Sequence, residues 1–249
     1  MTQTISQNSV IIEHAGSVTW LRLNRPDRLN AVNAAVIEEL MDGLVAARDR
    51  GSDLVVFAGE GRAFSAGFDL SALDQQSDAD LLYRFVRVEQ LLQMIYQLPM
   101  TSVALVHGRC FGAAADIVAS CRKRIATPDA SFRLPGLQFG IVLGTRRLAR
   151  LIGADAAFDL LEISRIFNAN DALEVGFLTD IQPVEDWASH IDKLATDAGN
   201  LSDDAKAALL AATRDDSELE HDLAALVRSA AEPGLAERIH TFVATQVKK

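Results

Sequence analysis

Residues 61–73 read GRAFSAGFDLSAL, directly after the apolar run LVVFAG at 54–59. Gly61, Ser65, Ala66 and Gly67 are small, and Phe64 and Phe68 stand among them. A plain turn needs one glycine. A run of small residues beside large aromatics points to something that approaches the backbone closely. The plan recurs: VALVHG at 103–108 leads through RCFGAAADIVASC, 109–121, into a helical pattern. Both read as buried strand, small-residue turn, helix. Backbone N–H groups at such turns are unpaired donors aimed outward. Two such turns facing each other would hold one oxygen between two amides and stabilise charge developing on it. The plainer reading at each turn is close packing.

Outward from these turns, strand and helix signals alternate. SVTWLRLN (17–24) reads as a strand stopped near Pro26, and AAVIEELMDGLVAARD (34–49) has apolar residues at helical spacing. DADLLYRFVRVEQLLQMIYQL (78–98) reads as a long helix ended by Pro99, and TSVALVHG (101–108) as the next buried strand. AAADIVASC (113–121) reads as a helix, KRIATPDASFRLP (123–135) as two short strands around Pro128-Asp129, and NANDALEVGFLTDIQP (168–183) as a short helix and a strand. This alternation predicts α/β layers with mostly parallel strands over 1–190. Residues 191–249 predict helices only, serving either as a lid on the sheet or as an arm on a neighbouring subunit.

The whole chain bounds the function. Its 249 residues are 49% hydrophobic, enough for a substantial core. The net charge of −10 disfavours a nucleic-acid partner. No apolar run approaches the length of a membrane-spanning helix, and MTQTISQNSV at the start lacks the basic and apolar parts of a secretory signal. A cytoplasmic protein with no membrane partner is the expectation. Cys110 and Cys121 read as free thiols, and no Cys/His cluster has zinc spacing, so no metal is expected. CRKR (121–124) and Lys248-Lys249 read as solvated surface.

Four segments, in order and at matching spacing, resemble the crotonase, or enoyl-CoA hydratase/isomerase, superfamily. They are LNRPDRLNAVN (23–33), GRAFSAGFDL (61–70), VHGRCFGAAADIVASC (106–121) and ISRIFNANDALEVGFLTDI (163–181). The resemblance implies repeated ββα turns wound as a superhelix, with a C-terminal helical region used in a homotrimer or dimer of trimers. It implies an acyl thioester of coenzyme A as ligand, the coenzyme being part of the substrate and no other cofactor being needed. The amides of Phe68 and Ala113 match the family's oxyanion donors, after Gly67 and Gly112. Ala66, Asp69 and Leu70 would line the coenzyme's path together with Arg28, Leu29 and Ala31. Arg28 is either a partner for its phosphates or a solvated turn residue.

The chain also departs from that pattern. Of two glutamates that handle water and proton in the hydratases, the first corresponds to Asp116 and the second to Gly136. GAAAD replaces a glycine-rich run, and only IVL separates Gly140 from GTRRL (144–148). Loss of one acid/base group costs about 10²–10⁴-fold, so ordinary hydration is not expected. Enolate chemistry is: isomerisation, decarboxylation or hydration of a particular acyl chain, with Asp116 as the one matched acid/base. Asp116 reads equally as a helix-start aspartate satisfying backbone amides. A non-catalytic acyl-CoA binder and a carbon–carbon bond hydrolase acting on a diketone stand as alternatives. Asp69 reads as a loop-holding acid, His107 as a structural strand-end residue before a catalytic one, and Arg133 as a surface cation before a partner for an acidic acyl group. Cys110 has no matched base beside it. Gly136 leaves room for an external anion such as bicarbonate.

Overall fold

The computed structural model describes residues 8–214 and 219–246. Lys248, Lys249 and residues 1–7 of the MTQTISQNSV segment lie outside the described residues. The elements follow in chain order: β1 (Val10–Ala15), β2 (Val18–Leu23), α1 (Ala34–Asp49), β3 (Leu54–Gly59), α2 (Asp78–Tyr96), β4 (Thr101–Val106), β5 (Arg109–Phe111) and α3 (Ala113–Ser120). Then come β6 (Lys123–Ala126), β7 (Ser131–Arg133), α4 (Thr145–Ile152), α5 (Ala154–Ile163), β8 (Phe167–Asn168), α6 (Ala169–Glu174) and β9 (Asp180–Ile181). Four helices close the chain: α7 (Trp187–Gly199), α8 (Asp203–Thr213), α9 (Leu219–Ala230) and α10 (Leu235–Gln246).

Six strands form one sheet in the order β1-β2-β3-β4-β6-β9, antiparallel at the β1–β2 hairpin and parallel elsewhere. A second sheet has the order β5-β7-β8. The apolar runs of β3 and β4 lie at the centre of the six-stranded sheet with helices on both sides, as continuous runs of this kind do. Alternate residues serve opposite faces. Val55 and Phe57 join the main core with α1, α2 and α3 residues, while Leu54 and Val56 meet Ile191 and Trp187 of α7. Helix starts are set locally: the Asn33 side chain accepts from Val36 N, and Ser77 and Asp80 form a reciprocal capping box at α2.

Three strands went unread in the sequence: β1, β5 and the two-residue β8. β1 is an edge strand whose residues after Val10 are half-buried or exposed, so no alternation marks it. β5 is held by β7 and by Ser65, partners distant in sequence. The division at residue 190 falls inside α7, which packs as one unit on the sheet. The last two helices do not present a bare apolar face. Leu226, Ala230, Leu235 and Ile239 are buried against Leu81, Phe85 and Ile141, because α2 has an apolar side free for them. The most exposed large apolar residues include Phe158 (64%), Ile163 (64%) and Ile166 (59%), on and just after α5. Among the described residues no helix is long and apolar enough to cross a membrane.

Candidate active site

The two small-residue turns are tied together. Ser65 N donates to Arg109 O and Phe111 N donates to Ser65 O, both at 3.1 Å. Gly67, at φ +88°, lies so close to the second turn that a methyl built on it would collide with the Phe111 carbonyl oxygen and stand 3.4 Å from Ala113 N. Only glycine fits there, on both conformational and steric grounds. The 23–33 segment braces the first turn from the other side. Ala66 N donates to Leu29 O (2.8 Å), Val32 N to Gly67 O (2.7 Å) and Ser65 Oγ to Asn30 O (2.7 Å). Asn30, itself left-handed at φ 53°, donates from its side chain to Glu60 O and Ala63 O. With these bonds in place, neither Phe68 N–H nor Ala113 N–H donates to a protein acceptor among the described residues. Ala113 is the first residue of α3, where such N–H groups have no intrahelical partner.

Phe68 and Ala113 both line a cavity of about 240 Å³. Its walls are chiefly apolar. The Phe68 ring stacks on Phe85 with centroids 4.3 Å apart, and the Arg84 guanidinium lies 4.0 Å from the centre of the Phe68 ring. The far wall is Phe242 and Gln246, from α10.

Asp116 is the one carboxylic acid among the described residues that line this cavity. It is 4% exposed, and its Oδ1 has no hydrogen-bond partner in the protein. Burial drives its pKa up to about 8, against the pull of Arg147 and with the push of Glu89. At neutral pH the side chain is therefore mainly a carboxylic acid, a donor rather than a base. Behind it, Arg147 Nη2 donates to Glu89 Oε1 at 2.8 Å, with the two side chains 3% and 1% exposed. Glu89 Oε2 and Arg147 Nε and Nη1 find no protein partner, so this buried pair is only partly satisfied. Burial also pushes the Glu89 carboxyl up.

The other candidates divide. Ala66, Leu70, Gly112 and Gly136 line the cavity with Phe68, Ala113 and Asp116. Leu29 lines a second, polar hollow of about 280 Å³ that also includes Arg62 and Arg109. Ala31 accepts from Arg25 Nη1 and Arg28 is exposed beside Asp27; neither lines the cavity. Asp69 accepts from Ser71 N (2.9 Å) and from Arg25 Nη1 (2.8 Å). Burial pushes its carboxyl up, but these donors outweigh it and hold the pKa at about 2. It is a fixed anion bracing the first turn. His107 bonds Gly61 O through Nε2 at 2.9 Å and does not line the cavity. Cys110 is fully buried, which pushes its thiol well above the usual range and leaves no nucleophilic thiolate. Arg133 departs most from its surface reading, for it lines the cavity.

Glu89, Gly144 and Arg147 were not read from the sequence. A signal existed for the charged pair: Glu89 falls at helical spacing between Phe85 and Leu92 on the apolar stripe of α2, where an unpaired charge would be costly. Gly144 lies against Asp116, and no local pattern announces it.

The Enoyl-CoA hydratase/isomerase family model matches residues 13–232. The chain belongs to that family. A Bordetella parapertussis protein whose crystal structure carries the enoyl-CoA hydratase/isomerase name is 44% identical, covering 96% of this chain and 99% of that one at a TM-score of 0.94. The probable enoyl-CoA hydratase echA6 of Mycobacterium tuberculosis is 32% identical over 190 residues, 74% of this chain and 76% of that protein. The ethylmalonyl-CoA decarboxylase of Bos taurus is 29% identical over 174 residues, 67% and 56% of the two. The crotonase fold of this enoyl-CoA hydratase/isomerase family member thus accounts for the paired sheets and for the two turns that meet at Ser65 and Cys110.

Proposed function

We propose that the protein binds an acyl thioester of coenzyme A, holds the thioester carbonyl between the Phe68 and Ala113 amides, and uses Asp116 as the one acid/base on the resulting enolate. The observation that carries this reading is the meeting of two unengaged backbone donors and a buried carboxyl in one apolar cavity. The amides stabilise negative charge as it moves onto the carbonyl oxygen. Asp116, being protonated at neutral pH, supplies a proton to the enolate carbon. Decarboxylation suits this donor: the carbon–carboxylate bond breaks, its electron pair enters the enolate, carbon dioxide leaves, and Asp116 protonates the α-carbon. Isomerisation uses the same residue in its ionised form first. Hydration needs a second proton-transfer group, and Gly136 offers none.

The polar hollow at Leu29, Arg62, Arg109 and Asp129 offers two arginines to the coenzyme's phosphates, and it adjoins the cavity wall where Ala66 N donates to Leu29 O. The exposed Phe158, Ile163 and Ile166 support a homotrimer or dimer of trimers. The test is calorimetry on a panel of acyl-CoA esters, then turnover on those that bind, with Asp116→Asn beside the wild type. Failure of every ester to bind would remove the reading. Binding with no turnover would make the protein a binder.

A further inference from the structure

Strand alternation sends Phe132 of β7 into the core and Arg133 to the opposite side, against the cavity. The backbone of Arg133 is part of the same construction as the second turn, for Gly112 N donates to Arg133 O at 2.7 Å. Its guanidinium is half-buried at the α10 wall. Nε donates to Ser164 O (3.0 Å), Nη1 donates to Gln246 Oε1 (2.7 Å), and the carbon between them stands 5.9 Å from the Phe242 ring centre. Both Phe242 and Gln246 line the cavity. The contacts are neutral: two Ser164 oxygens, one Gln246 oxygen and an aromatic face, with no carboxylate among the described partners. Nη2 donates to no protein atom among the described residues.

The charge inventory of the cavity is short. Arg133 is the only cation among the described lining residues, and Asp116 the only carboxyl. Asp116 is on α3 and is held mainly in its neutral form at neutral pH. The cavity therefore carries a net positive charge against walls that are otherwise chiefly apolar. A guanidinium with an unengaged Nη2 at its open edge in such a setting matches a carboxylate, an oxygen of which accepts a charge-assisted hydrogen bond from that nitrogen. A purely hydrocarbon chain leaves that edge unmet and gains nothing from the charge.

We propose that the cavity selects acyl thioesters whose acyl chain carries a carboxylate at the end remote from the thioester, and that Arg133 binds that carboxylate. This rests on the thioester reading above. Arg133 is a specificity-determining residue in this scheme, and Asp116 remains the proton-transfer group. The bond is one of orientation and affinity. The carboxylate it holds is retained through the reaction, since pairing with a cation opposes its loss.

The experiment compares dissociation constants, by calorimetry at fixed salt, for succinyl-CoA and glutaryl-CoA against butyryl-CoA. Wild-type protein should favour at least one of the two acidic thioesters by about tenfold or more, the scale of a charge-assisted hydrogen bond. Arg133→Gln should erase that ratio, and Arg133→Lys should keep part of it. Gln246→Ala, which removes a neutral partner of Arg133 and spares its charge, should preserve the preference. Free glutarate is the control for a loose anion: it should displace butyryl-CoA poorly, because the carboxylate is delivered by the thioester. Equal affinity of wild type for acidic and apolar thioesters would overturn the proposal. So would an acidic preference that survives in folded Arg133→Gln, or strong displacement by free glutarate. Tight butyryl-CoA binding without acidic preference would leave the thioester reading standing and remove this inference alone. Binding of none of the thioesters would remove both.

Discussion

Gly144 lies against the carboxyl of Asp116. A methyl group built on this glycine, which has φ +62°, would collide with Asp116 Oδ1 and stand 3.6 Å from Arg147 Nη1. The glycine therefore sets how closely α4 approaches the acid, and it shares that space with the buried Arg147–Glu89 pair. Gly144→Ala should displace the Asp116 side chain and strain the turn. The expected cost is about 1–3 kcal/mol of stability, with turnover on the best substrate falling by about 10²-fold. Thermal unfolding and steady-state kinetics measure the two effects. An unchanged kcat would show that the position of Asp116 is irrelevant to the chemistry.

Asp116→Asn keeps the shape and removes the proton. Turnover should fall by about 10²-fold or more, while thioester affinity changes little. In wild type, activity that depends on the acid form should decline as pH rises through about 8. Stability follows the same sign. The folded-state pKa is raised, so the folded chain keeps a proton that the unfolded chain gives up above about 4. This contribution is complete at acid pH and is lost as pH rises through about 8. Asp116→Asn should flatten that slope. Urea unfolding of both proteins across this range gives the comparison, and parallel slopes would contradict the assignment.

Gly136→Glu should not create a hydratase. A side chain at 136 would begin 3.0 Å from Ile141 O, and Ile141 N itself donates to Gly136 O at 2.9 Å. Ile141, in the segment after Gly140, thus crowds the first atom of a side chain at 136, and the variant should lose about 1–3 kcal/mol. Crotonyl-CoA hydration should stay far below about 10 per second in wild type and variant alike. An assay showing a large gain in the variant would mean that the wall yields.

The Glu89–Arg147 pair should be costly to break singly. Glu89→Gln leaves a buried guanidinium without its counter-charge and should destabilise by about 3–5 kcal/mol. Replacing both, as Glu89→Leu with Arg147→Met, should cost less than the two single changes together. Denaturant titrations of wild type, Glu89→Leu, Arg147→Met and the double variant decide it, and strict additivity would show the pair to be uncoupled.

The Phe158, Ile163 and Ile166 surface should be covered by another copy of the chain. Sedimentation of wild type should show a trimer or hexamer at micromolar concentration, and Phe158→Asp with Ile163→Asp should shift it toward monomer. A wild-type monomer under those conditions would remove the assembly.

The sequence by itself determined the layers and the two turns. Apolar runs at Leu54–Gly59 and Thr101–Val106, each followed by small residues and a helical pattern, are local signals: strand burial, glycine conformation and helix periodicity are all written within a few residues. Asp116 and Gly136 were legible as departures for the same reason, being single positions within a readable motif. Tertiary structure alone decided what surrounds them. Glu89 comes from α2, and Arg147 with its helix's cap Gly144 from α4; only packing brings them to Asp116, and burial there raises its pKa against the pull of Arg147. Arg133 read as a surface cation because a three-residue strand gives no clue to what covers it; α10, more than a hundred residues later, makes its surroundings a cavity. The destination of the last helices was undetermined for the same physical reason. An amphipathic helix states that one face must be buried, and the partner that buries it is fixed by long-range packing: here α2, with Leu81 and Phe85 against Leu226 and Leu235.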